Sequence, residues 1–132
     1  MTLTIDGEAF YIDAFTQGYI ECALWSSTNN SRDDGGDPLD DNYDIIDLSR
    51  ETARAMVKDC DDFRDYVCET IDSETADEID SEQGGHDFWL TRNRHGAGYW
   101  DGDWEKGDEL TDAAHTFGGV DLYVGDDGKV HS

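Results

Sequence analysis

Five carboxylates, Asp59, Asp62, Asp65, Glu69 and Asp72, recur every three or four residues along one segment of the chain. On an α-helix that spacing stacks side chains above one another, so the five form one line of negative charge. With a rise of ~1.5 Å per residue, successive members stand roughly 4.5 to 6 Å apart. Phosphates along a nucleic-acid strand advance ~3.4 Å per nucleotide in B-form and more along the contour. The chemistry open to such a line is electrostatic: it can occupy a surface built to hold a polyanion. Asp61, Asp77, Glu78, Asp80 and Glu82 extend this candidate partner-binding set, and residues 59 to 82 hold eleven acids against one Arg.

Other residue sets offer less. His86, Asp87 and His95 could form a hydrolytic site in which an acid orients a base, but His86 reads more simply as a surface residue and His95 as a turn residue. The four histidines, His86, His95, His115 and His131, have no metal-ligand spacing among themselves. The segment from Asp101 begins like a calcium loop, yet Lys106 stands where Gly is required and Asp112 where Glu is usual. Asp33, Asp34, Asp37, Asp40 and Asp41 could hold a cation loosely, although Asp, Gly and Asn in a loop need no metal to explain them. No Gly-rich phosphate loop, nucleophile elbow or Cys and His pair is present. The three cysteines form neither a disulfide framework nor a zinc motif. Cys22 and Cys60 fall on apolar faces and read as buried thiols, while Cys68 falls at the edge of the acidic face. Accordingly no catalytic residue, metal ligand or cofactor is assigned.

These residues need elements to position them. Met56, Cys60, Phe63, Val67 and Ile71 form an apolar stripe on the other side of the segment that carries the acids, which predicts a long amphipathic helix. Asp47 or Ser49 can cap its start, and Asp72 with Ser73 can begin a short helix through Ile79, ended by Gly84 and Gly85. Leu3 and Ile5 before Asp6 and Gly7 suggest a brief strand and turn. Phe15, Tyr19, Cys22 and Ala23 place a first helix from Asp13 to about Ser26, and Ser27 to Asp44 reads as a long loop. From His86 the period changes to two, predicting a β-hairpin with aromatic arms around residues 93 to 96. Leu110 to Phe117 reads as a short helix stopped by Gly118 and Gly119. A last hairpin joins Leu122–Val124 to Lys129–His131 through Asp127 and Gly128. The expected fold is α+β in a single domain, residues 1 to 132. Its helices would pack on a small antiparallel sheet built mainly from C-terminal hairpins.

Composition narrows the function. Thirty-three acids, 24 of them Asp, against nine Lys and Arg give a formal charge of −24 on 132 residues. Self-repulsion at that density opposes a compact state. Four Trp, six Tyr and five Phe nevertheless supply a core and argue against disorder of the whole chain. Direct binding to nucleic acid or to an anionic membrane is excluded, because both rest on Lys and Arg. No apolar run approaches the ~20 residues of a membrane span and no secretory signal is visible, so a cytoplasmic protein is expected. The acidity remains open to three explanations: high-salt adaptation, cation binding and imitation of a polyanion.

The run HDFWLTRNRHGAGYWDGDW, then LTDAAHTFGGVDLYVGDDGKV, with GYIECALWSSTNN and GGDPLDDNY upstream, resembles a group of small phage-encoded proteins over about two thirds of the chain. The N-terminal strand and the acidic end of the long helix lie outside it. The resemblance implies a phage accessory origin acting inside an infected bacterial host and assigns no active site, and it makes high-salt adaptation less attractive. Together with the charge it leads to the expectation of a counter-defence inhibitor that mimics DNA and is not an enzyme. It would fill the basic groove of a restriction, CRISPR or other DNA-binding complex. Trp100 or Trp104 could add anchoring contacts, and a homodimer would lengthen the charged surface. The alternatives are a cation-binding accessory protein and a small enzyme using the His86, Asp87 and His95 region.

Overall fold

The structure is a computed structural model that describes residues 1–27, 38–95, 97–101 and 104–132. The fold is α+β. Strands β1 (Thr2–Ile5) and β2 (Glu8–Tyr11) pair antiparallel with Leu3 opposite Phe10. Asp6 (φ 49°) and Gly7 (φ 80°) make the tight turn between them, both with the positive φ that a type I′ turn demands. Helix α1 (Ala14–Ser26) follows, and the Asp13 carboxylate accepts from the Thr16 amide at its start. After two short 3-10 turns at Leu39–Asp41 and Ile45–Asp47, Ser49 caps the long helix α2 (Arg50–Thr70). Asp72 caps α3 (Ser73–Glu78) as expected.

The chain then departs from the expected pattern. Residues 82 to 92 form helix α4 (Glu82–Arg92), although the strand of a hairpin is predicted from His86 onward. Gly84 and Gly85 lie inside α4 and do not end a helix. The physical reason is the packing of α4 against α1. A Cβ at Gly85 would stand 1.8 Å from the Phe15 carbonyl oxygen, and one at Gly18 would stand 2.0 Å from that of Glu82. Glycine here admits a backbone-to-backbone approach that any side chain would block. Burial on nearly all sides of α4, from Asp87 to Arg92, also erases the one-sided stripe by which a helix is recognised. The α4 helix ends in a Schellman turn: the His95 amide reaches the Leu90 carbonyl and the Arg94 amide that of Thr91.

Helix α5 (Gly107–His115) precedes the last hairpin, β3 (Tyr123–Val124) with β4 (Val130–His131). The two hairpins do not join into one sheet, and the longer pair lies at the N-terminus, not in the C-terminal half. Both meet at the start of α2. The Asp6 carboxylate accepts from the Arg50 amide and pairs with Lys129, while the Ser49 amide donates to the Val130 carbonyl. The core is aromatic. Phe63 of α2 stacks on Phe88 of α4 at 4.0 Å, with Phe15, Tyr19, Tyr99 and Phe117 around them. The expected apolar stripe holds: Met56, Cys60, Phe63 and Val67 are buried and Ile71 packs at the edge of the core.

Candidate functional site

Helix α2 displays the acidic line, but its members have different fates. Asp59 turns toward α4 and accepts from the Arg92 guanidinium at 2.8 Å. Arg92 is buried, and its remaining donors reach the Tyr19 hydroxyl and the Phe117 and Gly118 carbonyls. This carboxylate is therefore part of the packing between helices. Asp62 pairs with Lys58 one turn earlier, and that ion pair holds the lysine pKa above its ordinary value. Asp61 and Asp80 both pair with Arg64, which also grips Asp13 at the start of α1. Asp72 is occupied in capping α3, and its bonds from Thr75 hold its pKa below the ordinary value.

Asp65, Glu69, Asp77, Glu78 and Glu82 remain. All five are exposed, and no Lys or Arg among the described residues lies within ion-pair distance of them. The expected single line of charge is thus broken where cations reach it. Arg92 is the element the segment does not contain, 33 residues from Asp59 in sequence, and the segment's one Arg, Arg64, reaches Asp61, Asp80 and Asp13 together. What survives is a discontinuous acidic surface running from the outer face of α2 across α3 to the first turn of α4.

The hydrolytic alternative does not assemble as expected. His86 Nδ1 lies 3.4 Å from Asp87 Oδ1, but His95 follows the opposite end of α4. Asp87 is buried and accepts from the indole N–H of Trp104 at 2.7 Å and from Gln83 at 3.0 Å. Trp104 is thereby engaged with the interior, whereas Trp100 is about half exposed. Cys22 and Cys60 are buried and Cys68 is exposed. Burial, with the nearby Asp87 charge, pushes the Cys22 thiol up to about 12, so it is protonated at neutral pH and poorly suited to nucleophilic attack.

Among the described residues no group of three or more His, Cys, Asp or Glu is arranged to hold a metal ion. Asp33, Asp34 and Asp37 of the Asp-rich loop lie outside the described residues, as do positions 102 and 103 of the calcium-like segment. The end of that segment, from Gly107 to Asp112, is the start of helix α5. No helix among the described residues is long and apolar enough to cross a membrane.

Two adjoining depressions along α1 escaped the sequence reading. One, of about 300 Å³, lies between α1 and α4 with Trp25 and His86 on its walls. The other, of about 460 Å³, continues past Glu21 and Asp40 to Tyr43 and Asp47. Their residues come from three segments far apart in sequence, so no local spacing signals them. No family model, curated protein or solved structure matches the chain.

Proposed function

We propose that this protein is a polyanion mimic that binds the basic nucleic-acid groove of a host DNA-binding protein or complex, as a phage counter-defence inhibitor. The observation that carries the reading is the exposed set Asp65, Glu69, Asp77, Glu78 and Glu82, without cationic partners among the described residues on a chain of charge −24. A folded, aromatic core holds these charges in place, so a complementary groove gains contact without having to order a flexible chain. The phage setting is part of this proposal and is read from the motifs HDFWLTRNRHGAGYWDGDW and DLYVGDDGKV. Association would be fast and would weaken with salt.

The test is capture from bacterial lysate on the immobilised protein at low salt, with duplex DNA as competitor. Recovery of a DNA-binding complex that DNA displaces supports the reading. Loss of that recovery on changing Asp65→Asn, Glu69→Gln and Glu82→Gln together assigns the surface. A column that retains no DNA-binding protein overturns it.

A second reading rests on a different observation. Exposed acids are not confined to one face: Glu21, Asp40, Asp41, Asp108, Glu109 and Asp126 carry them to the other elements. That distribution suits adaptation to concentrated salt, where cations screen self-repulsion over the whole surface. The two readings separate on one measurement, the unfolding midpoint against KCl. A midpoint that climbs steadily into molar salt favours adaptation, while one that levels off once repulsion is screened leaves mimicry as the explanation.

A further inference from the structure

The depression between α1 and α4 has a feature the acidic surface of α2 lacks, an exposed aromatic wall. Trp25, in the last turn of α1, is 58% exposed and stacks on His86 of α4 at 6.3 Å. Glu21, Asp40, Glu82 and Gln83 complete the rim, and the floor is Gly18 and Cys22. An indole face open to solvent beside carboxylates is the arrangement that attracts a flat organic cation, by cation–π attraction together with ion pairing.

The molecule's own guanidinium groups show the same chemistry. Arg64 and Arg92 are each paired with carboxylate and each lies over an aromatic ring. Asp87, behind His86 and Gln83, is already supplied by the Trp104 indole and the Gln83 amide and forms no part of the cleft wall.

We propose that this cleft is a docking pocket for an arginine side chain of the basic partner, with Trp25 stacked on the guanidinium and Glu21, Asp40 and Glu82 around it. The proposal rests on the polyanion-mimic reading and names where its contact is most specific. Guanidinium is favoured over ammonium because it is planar, weakly hydrated and stacks on an indole. The volume of about 300 Å³ suits one long side chain and not a folded element.

The test is calorimetric titration of the intact protein with an oligoarginine peptide and, separately, an oligolysine peptide of equal length, at moderate salt. Oligoarginine should bind more tightly than oligolysine. Trp25→Ala should weaken it about tenfold, Trp25→Phe should recover part of the loss, and Asp108→Asn with Glu109→Gln, exposed acids on α5 away from the cleft, should change it less than about twofold. Circular dichroism on each variant confirms that the fold is kept, as Trp25 is largely outside the core. Equal binding of oligoarginine by the wild type and Trp25→Ala overturns the pocket. The parent reading fails separately: oligoarginine binding that needs Trp25, with no DNA-binding protein retained from lysate, keeps the pocket and removes the mimic. A retained complex indifferent to Trp25→Ala keeps the mimic and removes the pocket.

Discussion

Helix α4 is held by two neighbours in two different ways. Against α1 it packs backbone to backbone, through Gly18 and Gly85. Against α2 it packs through large side chains, with Phe88 on Phe63 and Arg92 bonded to Asp59. Side chains can change rotamer to absorb a misfit, whereas a carbonyl oxygen fixed in a helix cannot. The first contact is therefore rigid and intolerant of added atoms. The second is adjustable, and its cost depends on whether a polar group is left without its partner.

The contrast can be broken most severely at the rigid contact. Gly85→Ala adds one methyl group in front of the Phe15 carbonyl and should cost about 3 kcal/mol or more, seen as loss of the cooperative transition or a large fall in urea midpoint. If the variant unfolds like the wild type, the backbone approach is not what holds α1 to α4. Arg92→Met should come next, at about 3 kcal/mol, because it strands the Asp59 carboxylate and the carbonyls of Phe117 and Gly118. Adding Asp59→Asn to Arg92→Met should recover part of that loss, and a double variant no better than the single would deny the ion pair its role. Phe63→Leu, a larger change in shape than the glycine substitution, should cost only about 1.5 kcal/mol by repacking around Phe88. Thermal melts of Phe63→Leu and Gly85→Ala side by side sharpen the comparison.

The smallest effect is a pH dependence of opposite signs. The bonds from Thr16 and Arg64 outweigh burial and hold Asp13 below its ordinary pKa, and bonds from Thr75 do the same for Asp72. A carboxylate depressed in the folded state contributes stability above its unfolded pKa and loses it as pH falls through the folded value. Those contributions should fade below about pH 4. The excess of exposed acids acts oppositely, since partial protonation on approach to pH 4 relieves repulsion. The melting temperature should therefore rise modestly from pH 7 to about pH 5 and fall below about pH 4. A melting temperature that declines steadily from pH 7 would show that repulsion is not a significant cost.

The same two contacts explain what could be read in the sequence. Helix α2 was legible because it has one face to bury, and Met56, Cys60, Phe63 and Val67 repeat with the helical period. The caps Ser49, one of two candidates with Asp47, and Asp72 and the turn at Asp127 and Gly128 were legible because their chemistry is local. Helix α4 was not, because burial on nearly all sides removes the period and its paired glycines imitate a stop. The acidic line was visible residue by residue. Its partial neutralisation was not, since Arg92 comes from another helix and Arg64 binds across three segments. The cleft beside Trp25 depends on α1, a 3-10 turn and α4 meeting, which no spacing records.

Three thiols at different depths give this chain an internal clock of its own opening. Cys68 is exposed and will react with a disulfide reagent at once, whereas Cys22 in α1 and Cys60 in α2 are covered and react only when a helix lifts away. Because Cys22 is carried by α1, the helix packed on glycine, and Cys60 by α2, their separate labelling rates time two kinds of excursion in one molecule. A helix locked by backbone contact has no partial displacement available, so Cys22, 2% exposed at the floor of the cleft, should label slowly. Cys60 can be reached through smaller, more frequent departures of α2.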